Sequence, residues 1–417
     1  MVSFLSETAY YNGIFLRKVR EGSTEVFVPD PFVYVTKKSE YLPTSLPVFY
    51  NPLMEINRDL SILAIRTYLD YLVNDSDRDI IYVEALAGTG IRGFRVINEV
   101  RKNNLYIILN DINPKATDLI SYNIEKLNFP KDKITVLQYE ANYLLLDLRK
   151  KKIVPDIIEI DPYGSPVSFL LNTMISVRGK LGLVLVTATD TAPLVGKFPS
   201  AALRKYGCRL IKSPFDREIA VRALFYALGR EASIVSKRII PLFGIFMHHF
   251  VKIAALISRG KKEADKFWRK IGWISFCPVC HDFSISFGLH RIPCLRCERD
   301  QREKEPLGPL WLGTIFNEEF CNNMLDVLGE LDIERKNAEK IKRILEWELA
   351  LSEQILFYDT HEIARRLKIS PPAVNYVLEK LKSKGFMASR THFNPRAVRT
   401  NATYKNIIEL LVEIQKE

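Results

Sequence analysis

Ile80-Ile81-Tyr82-Val83-Glu84-Ala85-Leu86-Ala87-Gly88-Thr89-Gly90-Ile91-Arg92-Gly93 is an apolar, β-branched run that ends in an acid, breaks on glycines and continues as an amphipathic stretch. The run reads as a strand, the stretch after it as a helix. Glycines at such a junction let the backbone turn sharply and approach a ligand closely at the head of the helix. Downstream the pattern repeats. Candidate strands are Leu105–Asn110, Ile134–Tyr139, Pro155–Ile160 and Leu181–Thr187, and candidate helices are Gly93–Asn103, Lys115–Leu127, Val167–Val177 and Arg217–Val235. Strands that alternate with longer amphipathic stretches predict crossover connections and a mostly parallel sheet.

Two further runs, Ile239–Phe246 and Phe250–Ser258, lie too close together for a helix to intervene. They predict an antiparallel pair that closes the sheet. The expected fold is therefore α/β, a Rossmann-like, doubly wound sheet with a reversed strand at one edge. The N-terminal ~50 residues, with Pro29, Pro31, Pro43 and Pro47, read as strands and turns leading into it.

In sheets of this kind ligands lie beyond the strand C-termini. Three candidate strands deliver suitable groups there. The first gives Glu84, Gly88 and Gly90. The second ends in Asn110-Asp111, about 20 residues on, where a carboxylate can take both ribose hydroxyls of a nucleoside. The third leads to Glu140-Ala141, another carboxylate with a small residue. A dinucleotide dehydrogenase also uses glycines followed by an acid. Glu84 immediately before the loop and the closing hairpin favour adenosylmethionine and methyl transfer.

The fourth strand runs out through Asp161-Pro162-Tyr163-Gly164-Ser165-Pro166. An exocyclic amine on a purine is a poor nucleophile because its lone pair is delocalised into the ring. Acceptors that hold its N–H groups make it more reactive. Asp161 can accept one, and the Pro162 carbonyl, on a residue whose φ is fixed, can accept the other. Tyr163 offers a face on which an extruded base can stack. Gly164 and Pro166 turn the chain away and leave the pocket open. Attack by a carbon nucleophile usually employs a cysteine, and Cys208 has no such context.

Cys277-Pro278-Val279-Cys280 and Cys294-Leu295-Arg296-Cys297 are separated by 13 residues. Four thiolates in two such knuckles suit tetrahedral structural zinc. Cys208 and Cys321 are left over and read as buried thiols.

The formal net charge is +11, and between Thr360 and Thr400 nine Lys or Arg face two Glu. A surplus of that size in a tenth of the chain points to a polyanionic partner. The residues around it read as helix, turn and helix, with Ser370-Pro371-Pro372 at the turn and Gly385 at the end, the pattern of a winged helix. Arg365, Arg366, Lys382, Lys384, Arg390, Arg396 and Arg399 are the candidate phosphate contacts. Met1–Phe15 lacks the pattern of a secretion signal, and Lys252 with His248 and His249 interrupts the most apolar stretch, so a cytoplasmic protein without a membrane span is expected.

In chain order the sequence contains Phe49-Tyr50-Asn51-Pro52-Leu53-Met54-Glu55-Ile56-Asn57-Arg58-Asp59-Leu60-Ser61, Gly90-Ile91-Arg92-Gly93, Asn110-Asp111, Asp161-Pro162-Tyr163-Gly164-Ser165-Pro166, Thr187-Ala188-Thr189-Asp190 and Arg390-Thr391-His392-Phe393-Asn394-Pro395. Together these resemble the tRNA guanine-26 N2-dimethyltransferase family in its archaeal form, over nearly the whole chain. The charged stretch Lys261–Lys270 after the hairpin places a domain boundary near Arg259, giving residues 1–260 and 261–417, the second with the zinc-knuckle segment at 273–300 and the winged-helix-like region at 353–400. The resemblance implies that the first is a class I methyltransferase domain and the second a tRNA-binding domain. It implies S-adenosylmethionine as donor and tRNA as partner. One guanosine would be converted to N2-methyl- and then N2,N2-dimethylguanosine.

By motif match, Arg58, Arg92, Asp111, Glu140 and Ala141 would contact the cofactor, Phe49 would sit over the site, and Asp161 would receive the amine proton. Arg58, near the start of a helical stretch, could also reach a carboxylate such as that of methionine. Two departures matter: the family often has Phe where Tyr163 stands, and Asp where Glu140 stands. Two alternatives stay open, an amino-methyltransferase of DNA or ribosomal RNA and a non-catalytic, zinc-bearing nucleic-acid-binding regulator.

Overall fold

The computed structural model describes residues 3–34, 45–73, 78–100, 102–288 and 305–417. The first three strands, β1 (Ser3–Tyr11), β2 (Ile14–Glu21) and β3 (Thr24–Pro29), form an antiparallel meander. It is pinned to the body through Asn123, which accepts from the Phe27 N–H at 2.7 Å and donates to the Phe27 carbonyl at 2.9 Å. A short turn capped by Asn51 then opens helix α1 (Glu55–Tyr71), nearly all of it buried.

The central sheet has seven strands: β4 (Ile80–Glu84), β5 (Leu105–Asn110), β6 (Ile134–Leu137), β7 (Ile157–Ile160), β8 (Lys180–Ala188), β9 (Lys237–Met247) and β10 (Phe250–Arg259). Their order is β6-β5-β4-β7-β8-β10-β9. β4 to β8 are parallel neighbours, and β10 runs antiparallel to both β8 and β9. The expected sheet and its closing hairpin are both present. Between them run α2 (Ile91–Glu99), α3 (Pro114–Lys126), α4 (Ala141–Lys150), α5 (Val167–Ser176), α6 (Pro199–Tyr206) and α7 (Asp216–Ile234). The chain steps from β4 outward to β5 and β6, then returns to β7 on the other side. That reversal opens a crevice at the C-termini of β4, β5 and β7, where such sheets hold ligands.

Beyond β10 lie α8 (Lys261–Trp268) and a sheet ordered β12-β11-β13, made of β11 (Ile271–Phe276), β12 (Phe283–Ser286) and β13 (Glu305–Trp311). Helices α9 (Glu318–Leu328) and α10 (Arg335–Leu349) follow. The last unit comprises β14 (Tyr358–Asp359), α11 (Thr360–Leu367), α12 (Val374–Ser383), β15 (Ala388–Ser389), β16 (Ala397–Thr400) and α13 (Tyr404–Ile414), with its strands ordered β14-β16-β15.

No break in the core marks Arg259. One apolar cluster runs from the central sheet through Phe267, Ile274, Trp311, Phe320 and Leu345 to Phe393. The contact is close because α7 offers a glycine: a Cβ on Gly229 would stand 2.0 Å from the Phe267 ring. A separate cluster, with Ile363, Val377, Leu381, Val398, Ile407 and Leu411, holds the last unit together.

Candidate active site

The glycine loop is shaped by two left-handed residues, Gly88 (φ 54°) and Gly90 (φ 75°). A Cβ on Gly90 would meet Ile120 at 2.9 Å and Phe94 at 3.0 Å, so the position has neither the conformation nor the room for a side chain. The loop is tied to the next strand: the Gly88 N–H donates to the Asp111 carboxylate at 2.8 Å, and Asn113 N–H donates to its other oxygen at 2.9 Å. Asn110 bridges three strands. Its amide donates to the Ala85 and Tyr139 carbonyls and accepts from the Tyr139 N–H, all at 2.9 Å. Glu140 caps α4 by accepting from the Tyr143 N–H at 3.0 Å, with Ala141 buried beside it. Glu84, Gly88, Gly90, Asp111, Glu140 and Ala141 therefore stand at or just beyond the C-terminal ends of three neighbouring strands, β4, β5 and β6.

Parallel pairing of β4 and β7 sets Glu84 directly beside Glu159, both fully buried. Two adjacent carboxylates in a dry sheet need cations, and two arrive from different elements. From α2, Arg92 lies 3.1 Å from Glu84 and 3.7 Å from Glu159, and it pairs directly with Asp161. From β10, Lys252 donates to Glu159 at 2.8 Å and to Asn57 Oδ1 at 3.2 Å. Asn57 also accepts from Arg92 at 3.1 Å and donates to Thr187 at 3.2 Å. Burial pushes the Glu84 carboxyl up to about 8, against the pull of Arg92. Burial likewise lowers Lys252, and Glu159 beside it offsets part of that shift.

Asp161 thus stands at the mouth of a buried charge network, with Arg92 behind it. Pro162 is buried, and among the described residues no hydrogen bond reaches its carbonyl. Tyr163 is 78% exposed, with its ring centroid 6.1 Å from that of Phe49, itself 41% exposed, at an interplanar angle of 58°. Both rings are exposed and tilt against each other, and Tyr163 lies two residues beyond Asp161. The turn after β7 is braced from the end of β8, because the Gly164 N–H donates to Thr189 Oγ1 at 2.6 Å and the Thr189 N–H returns to the Gly164 carbonyl at 2.9 Å.

Arg58 departs from expectation. It is buried against Glu21, with both contacts at 2.6 Å, and donates to the Asn51 carbonyl at 3.0 Å, so it holds the N-terminal meander to α1 and the turn that carries Phe49. Arg399 departs further. It lies in the interior between Glu218 and Glu348, each at 2.9 Å, and is a structural cation rather than a surface one. The other C-terminal candidates lie at or near the surface. Arg365, Lys382, Lys384 and Arg396 are exposed, and Arg366 and Arg390 are half-buried. Arg365 and Arg366 both pair with Glu362, Lys384 with Glu413, and Arg390 with Asn375.

Cys277 and Cys280 flank a turn at the tip of the β11–β12 hairpin, closed by His281 N–H to the Cys277 carbonyl at 2.8 Å. Cys294 and Cys297 lie outside the described residues. Among the described residues no group of three or more His, Cys, Asp or Glu converges on a metal-sized site. Cys208 and Cys321 are buried, and burial pushes both thiols well above the usual range. No helix of the described residues is long and apolar enough to cross a membrane.

Sequence reasoning missed Asn57, Glu159 and Lys252 as site residues. The signal for Lys252 was a lone lysine in an otherwise apolar strand, which must find a buried carboxylate. Thr189 and Asp190 were noted only as part of a motif, without a role.

Three comparisons bear on this arrangement. The family model for N2,N2-dimethylguanosine tRNA methyltransferase matches residues 22–412. The tRNA (guanine(26)-N(2))-dimethyltransferase of Methanosphaera stadtmanae is 32% identical over 400 residues, 96% of this chain and 97% of that protein. The enzyme of the same name from Methanocaldococcus jannaschii is 34% identical over 400 residues, 95% of this chain and 99% of that protein. Among solved structures, the complex of Trm1 from Pyrococcus horikoshii with S-adenosyl-L-methionine superposes with a TM-score of 0.78 at 28% identity, covering 94% of this chain and 99% of that one.

Proposed function

Since this chain belongs to the N2,N2-dimethylguanosine tRNA methyltransferase family, we propose that it transfers methyl groups from S-adenosylmethionine to the exocyclic N2 of guanosine 26 in tRNA, giving N2-methyl- and then N2,N2-dimethylguanosine. The observation that carries this reading is the position of Asp161, at the mouth of the crevice built by the glycine loop, ion-paired to Arg92 and next to two exposed aromatic rings.

The residues present fit an adenosyl cofactor. Gly88 and Gly90, both left-handed, let the loop turn sharply at the head of α2, and Asp111 and Glu140 stand just beyond neighbouring strand ends, where they would meet a ribose and a base. When bound, the cofactor supplies an electrophilic methyl on a sulfonium. The chain's own groups do the rest. Phe49 and Tyr163 hold the extruded guanine by its faces. Asp161 accepts one N2–H and the Pro162 carbonyl the other, so the amine lone pair points along the line of attack. As the N–CH3 bond forms and the C–S bond breaks, the proton leaves N2 for the Asp161 carboxylate and passes to solvent. A second cycle needs the same two acceptors, one of them now facing the first methyl.

Residues 1–260 carry this chemistry, and residues 261–417 grip the tRNA. In the latter, α11 and α12 with the β14-β16-β15 sheet form a winged-helix-like unit, and Arg365, Arg366, Lys382, Lys384, Arg390 and Arg396 contact phosphates. Cys277 and Cys280 supply half of a tetrahedral zinc site that Cys294 and Cys297 complete.

The test is to incubate the protein with labelled S-adenosylmethionine and unmodified tRNA transcripts, then digest and identify the nucleoside. Labelled N2-methyl- and N2,N2-dimethylguanosine, lost in Asp161→Ala while cofactor binding persists, is the expected result. Cofactor binding with no label in any tRNA would overturn the substrate, and absence of cofactor binding would overturn the reaction.

A further inference from the structure

Residues 197–212 read Lys-Phe-Pro-Ser-Ala-Ala-Leu-Arg-Lys-Tyr-Gly-Cys-Arg-Leu-Ile-Lys, a stretch with five cations and no acid. It contains α6 and the segments on either side. Phe198 and Leu203 are each 58% exposed, and Lys197, Arg204 and Lys212 are exposed as well. Two of the five cations are already committed: Lys205 pairs with Asp190 at 2.9 Å and Arg209 with Glu305 at 2.9 Å. For Lys197, Arg204 and Lys212 no ion pair is present among the described residues. Lys197 and Lys212 are brought together by Gly196, where a Cβ would stand 2.2 Å from the Ile211 carbonyl carbon and 2.6 Å from the Lys212 nitrogen. Burial raises the Asp216 carboxyl, and the charges of Arg217, Lys212 and Lys197 pull against that shift.

This surface is coupled to the turn after β7 by side chains. The Tyr206 hydroxyl bonds to Asp190 and accepts from Ser165 at 3.1 Å, while the neighbouring Thr189 brackets Gly164. The Thr187-Ala188-Thr189-Asp190 motif thereby fixes α6 against the turn that carries Tyr163. One exposed ring, Phe198, set among cations that make no ion pair with the described residues suits a single-stranded or distorted stretch of RNA, with a base stacking on the ring and phosphates meeting the cations.

We propose that α6 and its flanks form a second tRNA-contacting surface, in which Lys197, Arg204 and Lys212 hold phosphates next to the target nucleotide and Phe198 stacks on an adjacent base. The surface rests on the tRNA reading above and deepens it. It leaves the C-terminal unit to bind the body of the tRNA and assigns the strand around the extruded guanosine to α6.

The experiment measures equilibrium binding of unmodified tRNA over a salt series, by filter retention, for three full-length proteins. They are the wild type, the triple variant Lys197→Ala, Arg204→Ala, Lys212→Ala, and a control with Lys126→Ala, Lys131→Ala and Lys150→Ala. The control removes the same charge at the far end of the sheet, where α3 and α4 terminate. The first triple variant is expected to bind on the order of tenfold or more weakly at moderate salt, with a log–log salt slope shallower by about 2–3. The control should keep the wild-type slope. Phe198→Ala should lower kcat/KM for tRNA by about tenfold, Phe198→Tyr should restore it, and cofactor affinity should be unchanged in both. A triple variant with the slope and affinity of the control would overturn the proposal. Binding is read without methyl transfer, so a wild type that binds in this pattern but leaves tRNA unlabelled would overturn the reaction and not the surface.

Discussion

Lys252→Met tests whether the buried charges behind Asp161 work as a set. Lys252 and Glu159 are both fully buried and lie 2.8 Å apart. Removing one member of a buried pair strands the other charge, which costs roughly 3–5 kcal/mol. The nearest remaining cation is Arg92, 3.7 Å from the same Glu159 oxygen. Arg92 would be drawn toward Glu159 and away from Asp161, so cofactor binding should survive while kcat falls. The double variant Lys252→Met, Glu159→Gln removes both charges and returns Arg92 to Asp161. Replacing a buried pair with neutral groups is often nearly neutral, so the double variant should lie within about 1–2 kcal/mol of wild type. Urea unfolding midpoints and single-turnover methylation of tRNA read the two effects separately. A single variant as stable and active as wild type, or a double variant no better than the single, would refute the network.

Tyr163→Ala should reduce kcat/KM for tRNA by about 10- to 100-fold, the worth of one base–aromatic stack, while Tyr163→Phe stays close to wild type in the same assay. Gly90→Ala, placed at φ 75° with its Cβ 2.9 Å from Ile120, should weaken cofactor binding by calorimetry and lower stability by about 1–2 kcal/mol or more. Glu348 supplies a pH dependence. Burial raises its carboxyl, but Arg399 and His392 outweigh that and hold it at about 2 instead of 4.5. A depressed folded-state value gives stability that is complete above pH 4.5 and lost as pH falls toward 2. The loss is about 3 kcal/mol. Acid titration of the unfolding free energy should show it, and Glu348→Gln should flatten it.

Strand positions were legible because each central strand is a β-branched run bounded by polar turns. β4 and β5 have the expected bounds, and the closing hairpin follows from two apolar runs with no room for a helix between them. Helices α4 and α6 went unassigned. The first starts directly on the capping Glu140, and the second is short and exposed, opening on Pro199 at its first turn. Asp161 and the glycine loop were singled out from local motifs of a few consecutive residues, and the structure sets them beyond the ends of two neighbouring strands, β7 and β4. Lys252 and Glu159 could not be paired, since they lie 93 residues apart and meet only through strand order. Arg399 misled for a related reason. Nothing in its neighbourhood distinguishes a cation on the surface from one that meets Glu218 and Glu348 across the fold.

That triad of charges has a mechanical side. Glu218 belongs to α7, Glu348 to α10 and Arg399 to β16, and Glu218 also accepts the Leu356 N–H at 3.0 Å. Swinging the last unit outward would tear a guanidinium from two carboxylates in a dry interior, at a cost far above thermal energy. On the proposed function, that triad would hold the gap between the tRNA-gripping unit and Asp161 constant, like the jaws of a locked caliper. Such a tool would gauge its workpiece: an RNA of the wrong span would be gripped at one end and never present its guanosine at the other.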